Sequence, residues 1–239
     1  MEIHCVQCKV GRYDVAVIND DEFVGHTARA SGVFWEAWIA DHVKTYYKEG
    51  TDILDIGANI GTHTLMFSEI GPVHSFEPMY HQVLKKNVEL NTLDNPVKIY
   101  THALSDTGDI KNMFLPLRMP YGLRNYGGTS MHMNETCKHE NTAVPVECKT
   151  LDSVYDGVPS IIKLDVENHE LYVLRGAINT IKMHKPTIFI EITDYDTSEV
   201  RKFLEDIGYS EPIALKDKNY IYTYDHKSSP NTVLTMRGV

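Results

Sequence analysis

The stretch that most constrains the fold of this 239-residue chain is an apolar run that ends in two glycines, Asp52-Ile-Leu-Asp-Ile-Gly-Ala-Asn-Ile-Gly61. The apolar part predicts a buried strand, and Gly57 and Gly61 predict a tight turn into a helix. Glycine lets the backbone approach a ligand closely, and the first turn of a helix presents free N–H groups. The run therefore predicts a ligand-binding turn, although tight strand-to-helix turns also use glycine for structural reasons alone.

Strand-like and helix-like patterns alternate along most of the chain. Predicted strands cover residues 53–56, 73–76, 97–100, 161–166 and 187–192, and predicted helices cover 59–70, 80–90, 169–183 and 198–207. Strands that alternate with helices form βαβ units around a parallel sheet. A last pair, 209–215 and 220–224, is joined by a short turn and is predicted to be antiparallel. The pattern predicts a doubly wound, mostly parallel α/β sheet with an antiparallel last strand.

We expect one main domain at residues 51–225, with additions at three places. Residues 1–50 carry a predicted strand at 14–18 and a predicted helix at 34–47, which should pack on the core. An insertion at about 109–149 breaks the alternation, and its strand-like parts, 113–117 and 143–148, predict an inserted hairpin. Residues 226–239 form a polar tail.

The formal net charge of −10 limits the partners. Non-specific nucleic-acid binding depends on Lys and Arg, so this charge argues against a nucleic-acid partner and favours a small or neutral acceptor. No apolar run approaches the roughly 20 residues that span a bilayer, and no signal-peptide pattern begins the chain, so we expect a cytoplasmic protein without a membrane span. Cys5 and Cys8 have a spacing that zinc and redox sites use, but reduced thiols are the simpler interpretation.

The glycine spacing and two carboxylates predict the cofactor. Glu77 ends the second predicted strand about 20 residues beyond Gly57, where such folds bind a ribose diol, although a solvated strand end is the alternative. The loop lacks the middle glycine of the dinucleotide fingerprint. Asp55 would repel a pyrophosphate but suits the ammonium of an amino-acid portion. S-adenosyl-L-methionine is therefore favoured over NAD. A third strand runs into Ala103, Ser105 and Asp106, which predict an adenine site or a plain turn.

The fourth predicted strand ends in charged residues, which is unusual for a central parallel strand. Lys163, Asp165 and Glu167 share one face by their spacing, and Glu191 ends the next strand. Asp165 is the first candidate for a general base and His169 the second, with Lys163 tuning Asp165 and Glu191 orienting the acceptor hydroxyl. A structural Lys163–carboxylate pair is the alternative. Asp165, Glu167 and Glu191 are also the residues that could hold a divalent metal, which we consider the less favoured interpretation.

The segments LDIGANIGTHTL, HSFEP, KKNVELN, HALSD, KTLD, IIKLDVENHELYVLRGA and PTIFIEI, in this order, resemble the FkbM-like methyltransferases. These are Rossmann-like S-adenosylmethionine enzymes, mostly O-methyltransferases of sugars and secondary metabolites. The resemblance implies a cofactor site with a methionine part at Asp55, Gly57, Ala58, Asn59 and Gly61, a ribose part at Glu77, and an adenine part from Ala103 to Asp106. It implies the enzyme class and the cofactor more firmly than the substrate, for which a small-molecule or glycan acceptor is expected.

The chain departs from the family after Glu167, where Asn168 and His169 stand in place of a glycine and a small residue. We expect Glu167 and Asn168 at the mouth of the acceptor pocket. The inserted segment should supply further contacts through Tyr126 and Ser130. Methyl transfer to a sugar hydroxyl is the leading hypothesis. Transfer to nitrogen or to a carboxylate, a non-catalytic nucleoside-binding module, and a nicotinamide-dependent oxidoreductase are the alternatives.

Overall fold

The computed structural model describes residues 3–133, 143–194 and 199–225. A seven-stranded sheet lies at its centre. Its strands, in spatial order, are β11 (Ile213–Ala214), β12 (Asn219–Tyr222), β10 (Thr187–Glu191), β9 (Pro159–Leu164), β3 (Asp52–Ile56), β4 (Val73–Phe76) and β5 (Val97–Tyr100). The five strands from β10 to β5 run parallel, and β12 and β11 are antiparallel to their neighbours. The mostly parallel sheet with an antiparallel end is confirmed.

Helices cover both faces of this sheet. They are α1 (Val24–Ser31), α2 (Ile39–Tyr46), α3 (Thr62–Phe67), α4 (His81–Glu89), α5 (Leu151–Val154), α6 (Glu170–Gly176), α7 (Ile178–His184) and α8 (Glu199–Asp206). On one face, Leu54 and Ile162 pack in a cluster with Leu204. On the other, Ile53 and Ile161 pack with α2 and α3. Burial on both faces explains why the parallel strands are almost continuously apolar.

The helix predicted at 169–183 and the strand predicted at 209–215 are both shorter than expected. The helix predicted at 169–183 is broken between α6 and α7, where Ala177 has a φ of −111°. The break lies where the backbone comes close to another segment, since a Cβ on Gly176 would lie 2.0 Å from the Ser105 carbonyl oxygen. The strand predicted at 209–215 is only β11, because Pro212 has no N–H to donate to a ladder.

The N-terminal residues form more structure than predicted. A hairpin of β1 (Cys5–Val10) and β2 (Tyr13–Ile18) precedes α1, and neither β1 nor α1 was predicted. The helix predicted at 34–47 begins only at Ile39, because Glu36 has a left-handed φ of 50°. Cys5 and Cys8 are free thiols on β1.

A buried asparagine joins this hairpin to the main sheet. The Asn87 side chain, on α4, accepts from the Ala16 N–H at 2.6 Å and donates to the Ala16 carbonyl at 2.9 Å and the Ile60 carbonyl at 2.7 Å. Asn91 pairs with both backbone groups of Asp14 in the same way. The two amides act as a neighbouring strand would for β2 and satisfy its polar groups.

The insertion supplies two of the three strands of a small second sheet. Its strands are β6 (Ala103–Leu104), β8 (Ala143–Lys149) and β7 (Ile110–Phe114), in that spatial order. The predicted hairpin is present as the antiparallel β7–β8 pair, but β7 lies three residues earlier than the strand predicted at 113–117. Residues 134–142, and Cys137 with them, lie outside the described residues.

We predict that Gly57→Ala lowers the free energy of unfolding by more than about 3 kcal/mol. Gly57 has a φ of 83°, and a Cβ there would lie 1.8 Å from the Asp165 carbonyl oxygen. Gly50→Ala is the matched control, because Gly50 has a φ of 77° with no atom within 4 Å of its added Cβ. That variant should lose only about 1 kcal/mol, the scale of left-handed backbone strain. Urea unfolding of both variants measures the difference, and equal losses would contradict the close approach.

Candidate active site

A cavity of about 290 Å³ opens where the strand order reverses. From β3 the chain proceeds to β4 and β5 on one side, whereas β9 and β10 lie on the other side. Ligands of open α/β sheets bind beyond the carboxyl ends of the strands at this switch point. The lining includes Gly57, Ala58 and Asn59 after β3, Glu77 after β4, Asp165 to Glu167 after β9, and Glu191 at the end of β10.

Backbone donors hold Glu77 at the wall of the cavity. The N–H of Asn59 donates to Oε2 at 2.9 Å, and the N–H groups of Met79 and Tyr80 donate to Oε1 at 2.6 and 2.9 Å. Burial raises the pKa of Glu77 to about 7 against these three donors. The carboxylate therefore joins the glycine loop to the start of α4.

Lys163 is the central charge of the site. Its side chain is 3% exposed, and Nζ lies 2.8 Å from Asp165 Oδ2. Burial alone would lower its pKa, but the charges of Asp165 and Asp55 outweigh burial and raise that pKa above its ordinary value. Lys163 is therefore a buried cation that depends on neighbouring carboxylates.

Asp55 is fully buried and does not line the cavity. Its Oδ2 accepts from the Thr64 hydroxyl at 2.6 Å, and its Oδ1 is without a hydrogen-bond partner. Burial raises its pKa, and the facing Lys163 charge opposes that shift. The geometry gives Asp55 a part in balancing Lys163, and its predicted contact with a cofactor ammonium stays a prediction.

Two further carboxylates face the same space with few partners. Burial and the charge of Asp165 raise the pKa of Glu167 to about 8 and that of Glu191 to about 8. Among the described residues, no group of three or more His, Cys, Asp or Glu has an arrangement that could hold a metal ion. The structure thus brings Asp165, Glu167 and Glu191 to one cavity, but not together as a set of metal ligands.

The backbone of the turn after β9 shows why asparagine can stand at position 168, where the family usually has glycine. Glu167 and Asn168 have φ values of 53° and 72°, the left-handed region that glycine adopts freely and asparagine tolerates. The Ser130 hydroxyl donates to the Glu167 carbonyl at 2.6 Å, and the Asn168 N–H donates to Glu170 at 3.1 Å. Neither Asn168 nor Ser130 lines the cavity. Both support the turn that presents Glu167.

His169 lines the cavity, but both of its ring nitrogens have partners. Nε2 lies 3.0 Å from the Ser105 hydroxyl, and Nδ1 lies 3.1 Å from His132 Nε2. The ring also stacks on Tyr172 with centroids 4.6 Å apart. Burial, followed by the charge of His132, lowers the pKa of His169 to about 4. A histidine this weakly basic anchors the insertion more readily than it removes a proton.

The predicted site residues divide into two groups. Those that line the cavity are Gly57, Ala58, Asn59, Glu77, Ala103, Tyr126, Lys163, Asp165, Glu167, His169 and Glu191. Those that do not are Asp55, Gly61, Ser105, Asp106, Asn168 and Ser130. Gly61 instead contacts Leu84, since an added Cβ would lie 2.3 Å from that side chain. Ser105 is fully buried and has no solvent-exposed surface. The Tyr126 ring meets Tyr80 edge-on at 5.8 Å.

Among the acidic and histidine residues of the lining, three were missed by the sequence analysis. Glu36 comes from the N-terminal segment, where its side chain accepts from Asn219 at 2.9 Å. His63 follows the glycine loop on α3, and Asp217 precedes β12. His63 is the one that the sequence could have indicated, because it stands two residues after Gly61. Nothing in the pattern around Glu36 or Asp217 points to the cavity.

The chain belongs to the FkbM methyltransferase family, since residues 55–211 match the methyltransferase FkbM domain. The family resemblance seen in the motifs is confirmed. The chain is 28% identical over 188 residues to the hexuronic acid methyltransferase AglP of Haloferax volcanii, which covers 72% of this chain and 70% of AglP.

Two solved structures are also similar. Methyltransferase FkbM from Methylobacillus flagellatus is 18% identical, with a TM-score of 0.48, over 79% of this chain and 50% of that one. A tRNA (uracil-54, C5)-methyltransferase from Pyrococcus abyssi is 13% identical, with a TM-score of 0.50, over 92% of this chain and 43% of that one. The chain therefore spans half or less of each solved chain. Because a tRNA methyltransferase shares the fold, the fold gives no support to the predicted exclusion of nucleic acid.

The helices within the described residues are all too short or too polar to cross a membrane.

We predict that the stability His169 contributes falls at acidic pH. Its folded-state pKa of about 4 lies below the ordinary 6.5, so the unfolded chain takes up a proton first as the pH drops. Between pH 7 and pH 5, wild type should lose about 2 kcal/mol of unfolding free energy relative to His169→Gln. The exposed His26→Gln is the control and should show no such difference. Urea unfolding at both pH values measures this, and a pH-independent difference would contradict a buried neutral His169.

Proposed function

We propose that this chain is an S-adenosyl-L-methionine-dependent O-methyltransferase that acts on a hydroxyl of a sugar or glycan. The observation that carries the proposal is the cavity at the switch point, whose lining has two chemically different parts. One part is Glu77 with the backbone of the glycine loop, and the other is Asp165 beside Lys163. A nucleoside cofactor suits the first part, and a hydroxyl that loses a proton suits the second.

The first part of the lining, Glu77 and the glycine loop, fits the proposed cofactor. Asn59 lines the cavity, and its Oδ1 is buried without a hydrogen-bond partner, which suits the ammonium of an amino-acid portion. A carboxylate has about four acceptor positions, so Glu77 keeps capacity for one ribose hydroxyl beyond its three backbone bonds. When bound, S-adenosyl-L-methionine supplies a methyl group on a positively charged sulfur. The similar Pyrococcus abyssi enzyme was solved with S-adenosyl-L-homocysteine, which supports this cofactor class.

Asp165 is the proposed general base. Its Oδ2 is held by Lys163 at 2.8 Å, which fixes the carboxylate and leaves Oδ1 for the acceptor. Asp165 takes the proton of the acceptor hydroxyl, so that the oxygen could accept the methyl group that the bound cofactor would supply. Glu191, at the end of the neighbouring β10, orients the hydroxyl. Proximity and orientation in this walled cavity supply a further part of the acceleration.

The sugar acceptor is supported by the relative AglP, a hexuronic acid methyltransferase. A hexuronic acid offers both hydroxyls and a carboxylate, so transfer to a carboxylate is the second candidate. Labelled methyl donor, a panel of sugar acceptors and alkaline hydrolysis of the product separate the two. A methyl ether survives the hydrolysis, whereas a methyl ester does not.

We predict that Glu77→Ala weakens cofactor binding by about 1 to 3 kcal/mol, because it removes hydrogen bonds to a charged group and releases the Asn59 N–H. Calorimetry with S-adenosyl-L-methionine measures the loss. Glu89→Ala is the control, since Glu89 is an exposed residue of the adjoining helix α4. Unchanged affinity in a folded Glu77→Ala protein would overturn the assignment of Glu77 to the cofactor site.

We predict that Asp165→Asn lowers kcat by about 100-fold or more and leaves cofactor affinity nearly unchanged, because the amide cannot accept the proton. His169→Gln should keep most of the rate, because the His169 ring is already bonded to Ser105 and His132. Steady-state kinetics that follow the formation of the methylated sugar give kcat for both variants. Collapse of kcat in His169→Gln with a near-normal Asp165→Asn would transfer the role to the histidine.

A further inference from the structure

The cavity wall has many more carboxyl side chains than Lys or Arg side chains. Six carboxylates line it, namely Glu36, Glu77, Asp165, Glu167, Glu191 and Asp217. Among the described residues of the lining, Lys163 is the only Lys or Arg, and it is already paired with Asp165. Glu77 is satisfied by three backbone N–H groups. Four carboxylates are left for other cations.

The proposed cofactor accounts for only part of this imbalance. S-adenosyl-L-methionine carries a sulfonium, an ammonium and a carboxylate, so it brings a net charge of about +1. Like charges in a shared site otherwise take up protons. Burial and Asp165 raise the pKa of Glu167 and of Glu191 to about 8, so protons replace the missing cation at neutral pH. A second cation in the cavity would displace those protons.

Two aromatic rings stand at the same cavity. Phe23 and Trp35 line it and are still 39% and 37% exposed, with ring centroids 5.8 Å apart at an angle of 73°. A flat exposed ring offers an apolar surface to a sugar and a negative face to a cation. Trp35 is directly followed by Glu36, whose side chain is only 8% exposed. An aromatic face beside buried carboxylates is the chemistry that recognises an ammonium group.

His63 gives an independent sign of a ligand. It is 7% exposed, lines the cavity, and its Nε2 has no hydrogen-bond partner. That nitrogen lies 4.0 Å from Glu36 Oε2. Burial and the Lys163 charge hold the His63 pKa well below its ordinary value, so the ring stays neutral. A buried polar nitrogen without a partner is rare in proteins and is satisfied when a ligand fills the space.

We propose that the acceptor is a sugar that carries a protonated amine, bound by Glu36, Glu167 and Glu191 against the ring of Trp35. The inference rests on the proposed sugar methyltransferase function and narrows it to amino sugars. The same lining disfavours an acceptor with a free carboxylate, and with it the second candidate reaction named above, because no unpaired cation in the described lining can receive that carboxylate. In this respect the chain differs from AglP, whose acceptor is a hexuronic acid.

Four matched acceptors test the proposal: the methyl glycosides of glucosamine, N-acetylglucosamine, glucose and glucuronic acid. Methylation by labelled cofactor gives kcat/KM for each, and calorimetry on the protein saturated with S-adenosyl-L-homocysteine gives the affinities without turnover. We expect the glucosaminide to exceed the N-acetyl and glucose compounds by about 10-fold, the scale of a partly buried charge contact, and the glucuronide to rank last. Calorimetry in two buffers should show proton release on glucosaminide binding.

The outcomes separate the inference from the function on which it rests. If the glucoside or the glucuronide is methylated as fast as the glucosaminide, the proposed recognition of an amine is wrong. The proposed methyltransferase function stands in that case. Selective binding of the glucosaminide without methylation of any compound supports the amine site and overturns the proposed reaction. Absence of both binding and turnover overturns both. A metal requirement for glucosaminide binding would also overturn the amine, because the metal would then be the missing cation.

A pair of variants assigns the selectivity to the wall. Glu36→Gln should reduce the preference for the glucosaminide over the N-acetyl compound by about 5-fold, because it removes one charge and keeps the shape. Glu49→Gln is the control, since Glu49 lies in the same N-terminal segment but is exposed and outside the cavity. An unchanged preference in Glu36→Gln, in a protein of unchanged unfolding free energy, would overturn the role of Glu36.

Discussion

The burial of Lys163 in the central strand β9 is the constraint on which the site depends. A buried ammonium is stable only when carboxylates pair with it, and removal of one partner leaves an uncompensated charge. Asp165 supplies the direct pair at 2.8 Å, and Asp55 faces Lys163 across the β3–β9 register. The two strands that define the switch point are therefore joined by charge as well as by their hydrogen-bond ladder. Separation of β3 from β9 would leave the Lys163 charge without one of its carboxylate partners.

The backbone repeats this coupling. Gly57 lies so close to the Asp165 carbonyl that no side chain fits between them, and the Asp165 N–H donates to the Ile56 carbonyl at 3.1 Å. The insertion then holds the far side of the same turn, through Ser130 on the Glu167 carbonyl and His132 on His169. A residue that lines the cavity is thus rigid because residues that do not line it fix its backbone, which is what a preorganised site requires.

Local sequence patterns predicted the parts of the fold that local interactions decide. The apolar runs gave β3, β4, β9 and β10 to within two residues, because a strand buried on both faces must be apolar. The break after Gly176 was missed, because it depends on the distant Ser105 backbone. Glu36 was missed because its left-handed φ interrupts a pattern that reads as helix. The same limit explains Asp55: a strand pattern shows that it is buried, but not that it faces Lys163 instead of the cavity.

The proposed substrate class rests on the walls of the cavity and not on the sheet below it. The fold is shared with a tRNA methyltransferase, so the fold carries no information about the acceptor. The proposed acceptor side is formed by Phe23, Trp35 and Glu36 from the N-terminal segment and by Tyr126 from the insertion, all outside the alternating core. Side chains at such positions can change without loss of the fold, because they contribute little to the central sheet. The charge of this wall is therefore a better guide to the acceptor than the name of any relative that shares the sheet.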